Sequence, residues 1–258
     1  MKCLALTLFV FATAVIAVAD DHSFAGTWKE NLEKSDFTGR TSTTAKMPSG
    51  MLHDSSGSTE FDYQIDGKDY EMVPGLTIAW TQSGENSWNT AIRKDGKVLA
   101  VGHISLSKDG NTKELTYTFY RLDGQTQNGS NTSQRVSGGP GLLGTWKETK
   151  AEFGLPWTHV IEMPARDEIS TRSIEEKSSW RGKCDGSDVA PEGAREIKGN
   201  TGACRMLDAR TIEWTYKLNG KVIGLSRWTL SADGRSLEHV SWTPGKDGEK
   251  TTLVLDRQ

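Results

Sequence analysis

Phe24-Ala25-Gly26-Thr27-Trp28-Lys29-Glu30 returns as Leu142-Leu143-Gly144-Thr145-Trp146-Lys147-Glu148, 118 residues further on. A second block repeats as well. Asp95-Gly96-Lys97-Val98-Leu99 followed by Leu106-Ser107-Lys108-Asp109-Gly110 matches Asn219-Gly220-Lys221-Val222-Ile223 followed by Leu230-Ser231-Ala232-Asp233-Gly234, now 124 residues apart. A drift of a few residues between two such blocks means small loop insertions within one common fold. Two copies of this length read as two small domains rather than a solenoid, whose periods are shorter. The expected boundaries are a first domain over 20–137, a Gly/Pro linker over 138–141 and a second domain over 142–258. Gly and Pro at the join resist both helix and strand continuation.

Working outward, the period is two. Ile212, Trp214, Tyr216 and Leu218 alternate with Thr211, Glu213, Thr215 and Lys217; Leu115, Tyr117 and Phe119 alternate with Thr116 and Thr118. Alternation of this kind marks strands with one buried face. Asp-Gly and Asn-Gly pairs at 66–67, 95–96, 109–110, 123–124, 219–220 and 233–234 are hairpin turn signals. No stretch has a convincing helical period, although Glu30 to Asp36 is long enough for one turn of helix. The prediction is an all-β chain of two tandem up-and-down antiparallel barrels, each of roughly eight strands, since closure removes the exposed edges of a meander.

Composition bounds the function. The chain has 258 residues, 35% hydrophobic and 25% charged, with a formal net charge of −3. A polytopic membrane protein needs several apolar runs of about 20 residues and is excluded. Residues 20–137 carry 16 acidic and 12 basic side chains, and residues 138–258 carry 18 of each. Neither half has the basic excess that nucleic acid or an anionic membrane surface requires. Met1-Lys2, the apolar run Leu4 to Val18 and Ala17-Val18-Ala19 read as a signal peptide over 1–19, cut after Ala19. The expectation is a secreted or periplasmic protein with no stable membrane insertion after cleavage. Export removes Cys3 and leaves Cys184 and Cys204, which an oxidising compartment pairs as a disulfide. Free thiols are the alternative.

The opening of each copy, Gly-Thr-Trp-Lys after a signal peptide and before Gly-punctuated strands, resembles the start of the lipocalins and fatty-acid-binding proteins, the calycin superfamily. It is also similar to small secreted bacterial proteins with a Gly-Thr-Trp-Lys start. The resemblance implies barrels that hold a small apolar ligand. It further implies that the Trp closes one barrel end under an Arg from the last strand, here Arg135 and Arg257. The residues themselves assign Gly26 and Gly144 to strand bending and Trp28 and Trp146 to plugging the narrow end.

Chemistry is sparse. His22, His53, His103, His159 and His239 lack ligand spacing, so no metal is expected, and no cofactor motif is present. No nucleophile motif appears, and Glu175-Glu176 are adjacent, so on a strand they face opposite ways. No catalytic residue is assigned, and an enzyme is the less favoured reading. The aromatic residues are the functional signal. Trp214, Trp228 and Trp242 fall on three successive strands, and ring alternation puts them on one face. Trp214, Tyr216 and Trp228 in the second copy, with Tyr117 and Phe119 in the first, are the candidate ligand-binding residues; packing in a filled core is the competing role. Asn128-Gly129-Ser130 and Asn131-Thr132-Ser133 are glycosylation sequons. Three functions stay open. The first is a non-enzymatic carrier of a small hydrophobic ligand. The second is an interaction module whose filled barrels meet a protein or glycan. The third is a cofactor-independent isomerase or lyase, which needs two titratable groups inside one barrel.

Overall fold

The computed structural model describes residues 23–258. The expected signal peptide, Cys3 and His22 lie outside the described residues. In chain order the strands are β1 (Gly26–Asp36), β2 (Thr41–Lys46), β3 (Leu52–Ser56), β4 (Thr59–Tyr63), β5 (Asp69–Val73), β6 (Leu76–Gly84), β7 (Ser87–Lys94), β8 (Lys97–Leu106), β9 (Thr112–Tyr120) and β10 (Thr126–Ser137). They continue as β11 (Gly144–Phe153), β12 (Thr158–Ala165), β13 (Glu168–Ser173), β14 (Ser178–Lys183), β15 (Glu192–Gly193), β16 (Asn200–Asp208), β17 (Thr211–Leu218), β18 (Lys221–Leu230), β19 (Ser236–Trp242) and β20 (Thr251–Arg257). The fold is all-β, in two antiparallel sheets that curl into tandem barrels. Each sheet has ten strands rather than about eight, because the meander adds short strands near the seams. Residues 30–36 continue β1 rather than forming a helical turn.

The turns explain the strand breaks. Asp95-Gly96 and Asn219-Gly220 have both residues at positive φ (50° and 74°, 50° and 80°), the backbone that two-residue hairpins demand. The other Asp-Gly pairs use the carboxylate instead. Asp66, Asp109, Asp123 and Asp233 each accept the backbone N–H two residues on, at 3.0, 3.1, 3.0 and 3.1 Å.

Sheet membership does not follow the boundary expected at 138–141. One sheet runs β4-β3-β2-β11-β10-β9-β8-β7-β6-β5 and the other β15-β14-β13-β12-β1-β20-β19-β18-β17-β16. The first strand of each copy therefore completes the other copy's barrel. β1 lies between β12 and β20, and β11 lies between β2 and β10. The Gly/Pro segment is not an interdomain linker but the loop of the β10–β11 hairpin. Arg135 folds that loop by donating to the carbonyls of Gly110, Gly139, Gly141 and Leu143 at 2.6–2.8 Å. The connections between barrels are instead the segments 37–40 and 154–157.

The exchange crosses the Trp–Arg pairs too. The Arg135 guanidinium lies 4.1 Å over Trp146, and Arg257 lies 4.3 Å over Trp28. Both rings are fully buried and donate their indole N–H to a carbonyl four residues earlier, Phe24 at 2.8 Å and Leu142 at 2.9 Å. Gly26 is required here: a Cβ would stand 2.6 Å from Arg257 Nη1.

The second barrel is packed with Phe24, Trp28, Ile161, Ile169, Trp180, Ile212, Trp214, Leu230, Leu237 and Leu255, with Trp228 and Tyr216 against them. Among the described residues, its seam carries two isolated bridges from the segment after β14 to β16, Asp185 with Arg205 and Val189 with Gly202. The Cys184–Cys204 disulfide spans that gap. Inside the same barrel, His239 packs 5.6 Å from Trp228, and its Nε2 has no partner among the described residues. Burial, with the His159 ring as a lesser cause, lowers its pKa to about 4. A free histidine takes up its proton near pH 6.5. Between those values the unfolded chain binds the extra proton and the folded chain does not. Stability therefore falls as the pH drops through about 6.5 to 4, by up to about 3 kcal/mol from this residue. Urea unfolding of wild type and His239→Phe at pH 7 and pH 4.5 checks this. The wild type should lose more stability on acidification, and equal losses would rule the histidine out as the cause.

Candidate functional site

The first barrel is built differently inside. Its core of Tyr63, Ile78, Trp80, Trp88, Ile104 and Leu142 gathers toward the seam and the plugged end. At the seam Tyr63 stacks on Trp80 at 4.7 Å. Toward the other end, β8 to β11 present small residues on the inward face. Gly102, Tyr117, Gly129 and Phe153 lie side by side across four strands. The Tyr117 ring occupies the space above Gly129, so no larger residue fits there. The neighbouring inward row is Ala100, Phe119 and Gln127.

These rows leave a cavity of about 420 Å³, lined by Thr90, Ile92, Ala100, Val101, Gly102, Leu115, Tyr117, Phe119, Gln127, Phe153 and Trp157. That volume is within the range of ligand pockets. It adjoins a wider, open hollow of about 1220 Å³ that shares Thr90, Val101, Gly102, Tyr117 and Phe153 and reaches Leu32, Glu33 and Phe37. The interbarrel connections close one side. Phe37 packs tilted against Phe153 at 4.5 Å, and Trp157 meets Phe119 edge-on at 6.0 Å. Behind them, Arg121 lies 4.6 Å over Trp157 and Arg195 lies 4.9 Å over Phe119. Both guanidiniums pair with carboxylates through their terminal nitrogens, while the Nε of each is buried without a partner among the described residues. Arg121 Nη2 pairs with Asp123 at 3.0 Å and Glu175 at 3.4 Å; Arg195 Nη1 pairs with Glu176 at 2.9 Å, and its Nη2 donates to the Tyr120 carbonyl. Glu175 and Glu176 sit in the turn after β13, not on a strand, so both can reach an arginine.

Deeper in the same barrel is a polar group that no motif in the sequence announces. Asp54 on β3 accepts from Thr44 Oγ1 at 2.5 Å. Lys113 on β9 lies 4.9 Å over Trp146, and its Nζ donates to Ser42 Oγ at 3.3 Å. Glu148 on β11 accepts from Arg40 at 3.2 Å. Burial pushes the Asp54 and Glu148 carboxyls above the usual carboxylate range, against the pull of Lys113 and Arg40. Burial also lowers the Lys113 ammonium to about 8, against the pull of Asp54 and Glu148. The Tyr117 hydroxyl is raised by burial and then by Glu148. None of Asp54, Lys113 and Glu148 lines the 420 Å³ cavity. The cluster was legible only as an odd member of a pattern, Lys113 in phase with Leu115, Tyr117 and Phe119.

Of the candidate binding residues, Tyr117 and Phe119 line the cavity. Trp214, Tyr216 and Trp228 instead pack together in the second barrel, Trp214 at 5.0 Å from Trp228 and 6.3 Å from Tyr216. Trp242 does not share their face. It is paired with Leu225, while Ser241 and Ser226 take the inward positions, and it meets Lys250 at 5.2 Å outside. The two sequons differ as well. Asn128 is exposed on the outer face and accepts from Thr118 Oγ1 at 2.8 Å, whereas Asn131 faces the interior. Among the described residues no group of three or more His, Cys, Asp or Glu is placed to hold a metal ion. A scan against protein-family models and a search of curated proteins both find no match to this chain.

Proposed function

We propose that this is an exported binding protein of calycin-like build that holds a small apolar molecule in its first barrel, with the second barrel as a packed structural partner. The observation that carries this reading is the 420 Å³ cavity walled by Tyr117, Phe119, Phe153 and Trp157. Aromatic and aliphatic walls favour transfer of an apolar body out of water, at about 25 cal/mol per Å² buried. The disulfide agrees with an oxidising compartment. Two measurements test the reading. Native mass spectrometry of protein purified from its own source should find a retained small molecule. The neutral dye N-phenyl-1-naphthylamine should bind wild type and lose at least about tenfold in affinity in Ala100→Phe, which fills the cavity. A bare protein, together with dye binding that Ala100→Phe leaves unchanged, would sink it.

The isomerase or lyase reading draws on a different observation, the Asp54, Lys113 and Glu148 cluster in the same barrel. An acid and a base with raised and lowered pKa values are what proton transfer uses. Binding is the better supported of the two, since the cluster lies outside the cavity lining. Should the retained molecule be recovered altered after incubation, and unaltered with Lys113→Met, the order reverses.

A further inference from the structure

Gln127 is the one side-chain amide in the lining of this cavity, which also carries the Thr90 and Tyr117 hydroxyls and the Trp157 indole N–H. It is only 4% exposed and lines the 420 Å³ cavity. Its side chain makes no hydrogen bond among the described residues, whereas Asn128, next in the chain, has its partner in Thr118. Buried side-chain amides are almost always hydrogen-bonded, so one facing a cavity without a partner points to a ligand group that supplies it. The rest of the lining carries no charge, and the nearby Arg121 and Arg195 lie behind the aromatic walls, paired to Asp123, Glu175 and Glu176.

We propose that Gln127 sets the ligand class: the cavity takes an uncharged apolar molecule carrying one carbonyl or hydroxyl that hydrogen-bonds the Gln127 amide, and it discriminates against carboxylates. This rests on the binding reading above and narrows it. The physical ground is an asymmetry. A neutral carbonyl reaching Gln127 gains one hydrogen bond, and the amide loses its unpaired state. A carboxylate entering the same space gives up its hydration with no cation in the lining to meet it, which costs several kcal/mol. Fatty acids are thus the wrong ligands for this barrel, even though their chains would suit its walls.

Displacement of N-phenyl-1-naphthylamine by 2-decanone, decane and decanoate at pH 7 tests the proposal. In wild type, 2-decanone should displace the dye at about fivefold lower concentration than decane, one neutral hydrogen bond. Decanoate should need on the order of a hundredfold more than the ketone. Gln127→Leu and Gln127→Met are read together, with a thermal melt to show that each is folded. In both, the ketone and decane should become equal while dye binding persists. Decanoate competing as well as the ketone would overturn the uncharged class, and that comparison needs no variant. A ketone with no advantage over decane, or an advantage that survives both substitutions, would overturn the role of Gln127. Failure of the dye to bind wild type would instead remove the cavity-binding reading itself, and this proposal with it.

Discussion

Replacing Trp28 with alanine will loosen the barrel made from the C-terminal half of the chain and leave the other protected. Trp146→Ala will do the reverse. Each ring is fully buried, and each sits under the arginine of the opposite copy. Truncating a buried tryptophan costs about 3–5 kcal/mol through lost transfer energy and the cavity left behind. Here the guanidinium above the ring also loses its stacking face. Amide hydrogen exchange resolved by segment reads the outcome. Trp28→Ala should expose β12 to β20 while β2 to β11 stay protected, although Trp28 is closer in sequence to β2. Loss of protection in β2 to β10 instead would show that each first strand belongs to its own copy.

A chain carrying Cys184→Ala and Cys204→Ala will melt on the order of 10 °C lower in its second barrel. The bond closes a loop of sequence separation 20, worth about 3 kcal/mol in unfolded-chain entropy. Its position adds a reason specific to this barrel. Among the described residues the seam beside β16 carries two isolated bridges from the segment after β14 and one indole hydrogen bond, from Trp180 to the Gly202 carbonyl, and Trp180 is buried against Trp214 just inside it. The first barrel has no disulfide; its edge strands β4 and β5 are unpaired with each other but consecutive in the chain, and the Tyr63–Trp80 stack lies beside them. Tryptophan fluorescence with and without reductant, compared with the double variant, gives the measurement. A melt that neither treatment lowers would show the seam to be held by packing alone.

Much of the candidate site was within reach of a linear reading. Tyr117 and Phe119 alternate with threonines, which sends both rings to one face, and a barrel turns that face inward. Gln127 was not legible, because a glutamine on a strand is ordinary until its partner strand shows it opposite Phe119 and buried. Trp157 was unreadable for a related reason. It belongs to no strand and reaches the cavity only because segment 154–157 crosses from one barrel to the other. Asp54, Lys113 and Glu148 come from three strands far apart in the chain, so no spacing could announce them.

Local chemistry wrote the strands, the turns and the duplication into this chain: a period of two selects pleated strands, and Asp-Gly or Asn-Gly selects the hairpins. Two things were left for the folded molecule to decide. One is which barrel each Gly-Thr-Trp-Lys-Glu strand completes. The two slots accept the same residues; the tight loop held by Arg135 keeps β11 beside β10, and β1 lies in the other sheet. The other is which barrel keeps space inside. That follows from the volumes that meet across the interior, Ala100, Gly102 and Gly129 on one side of the molecule against Trp180, Trp214 and Trp228 on the other, and no stretch of sequence carries that total.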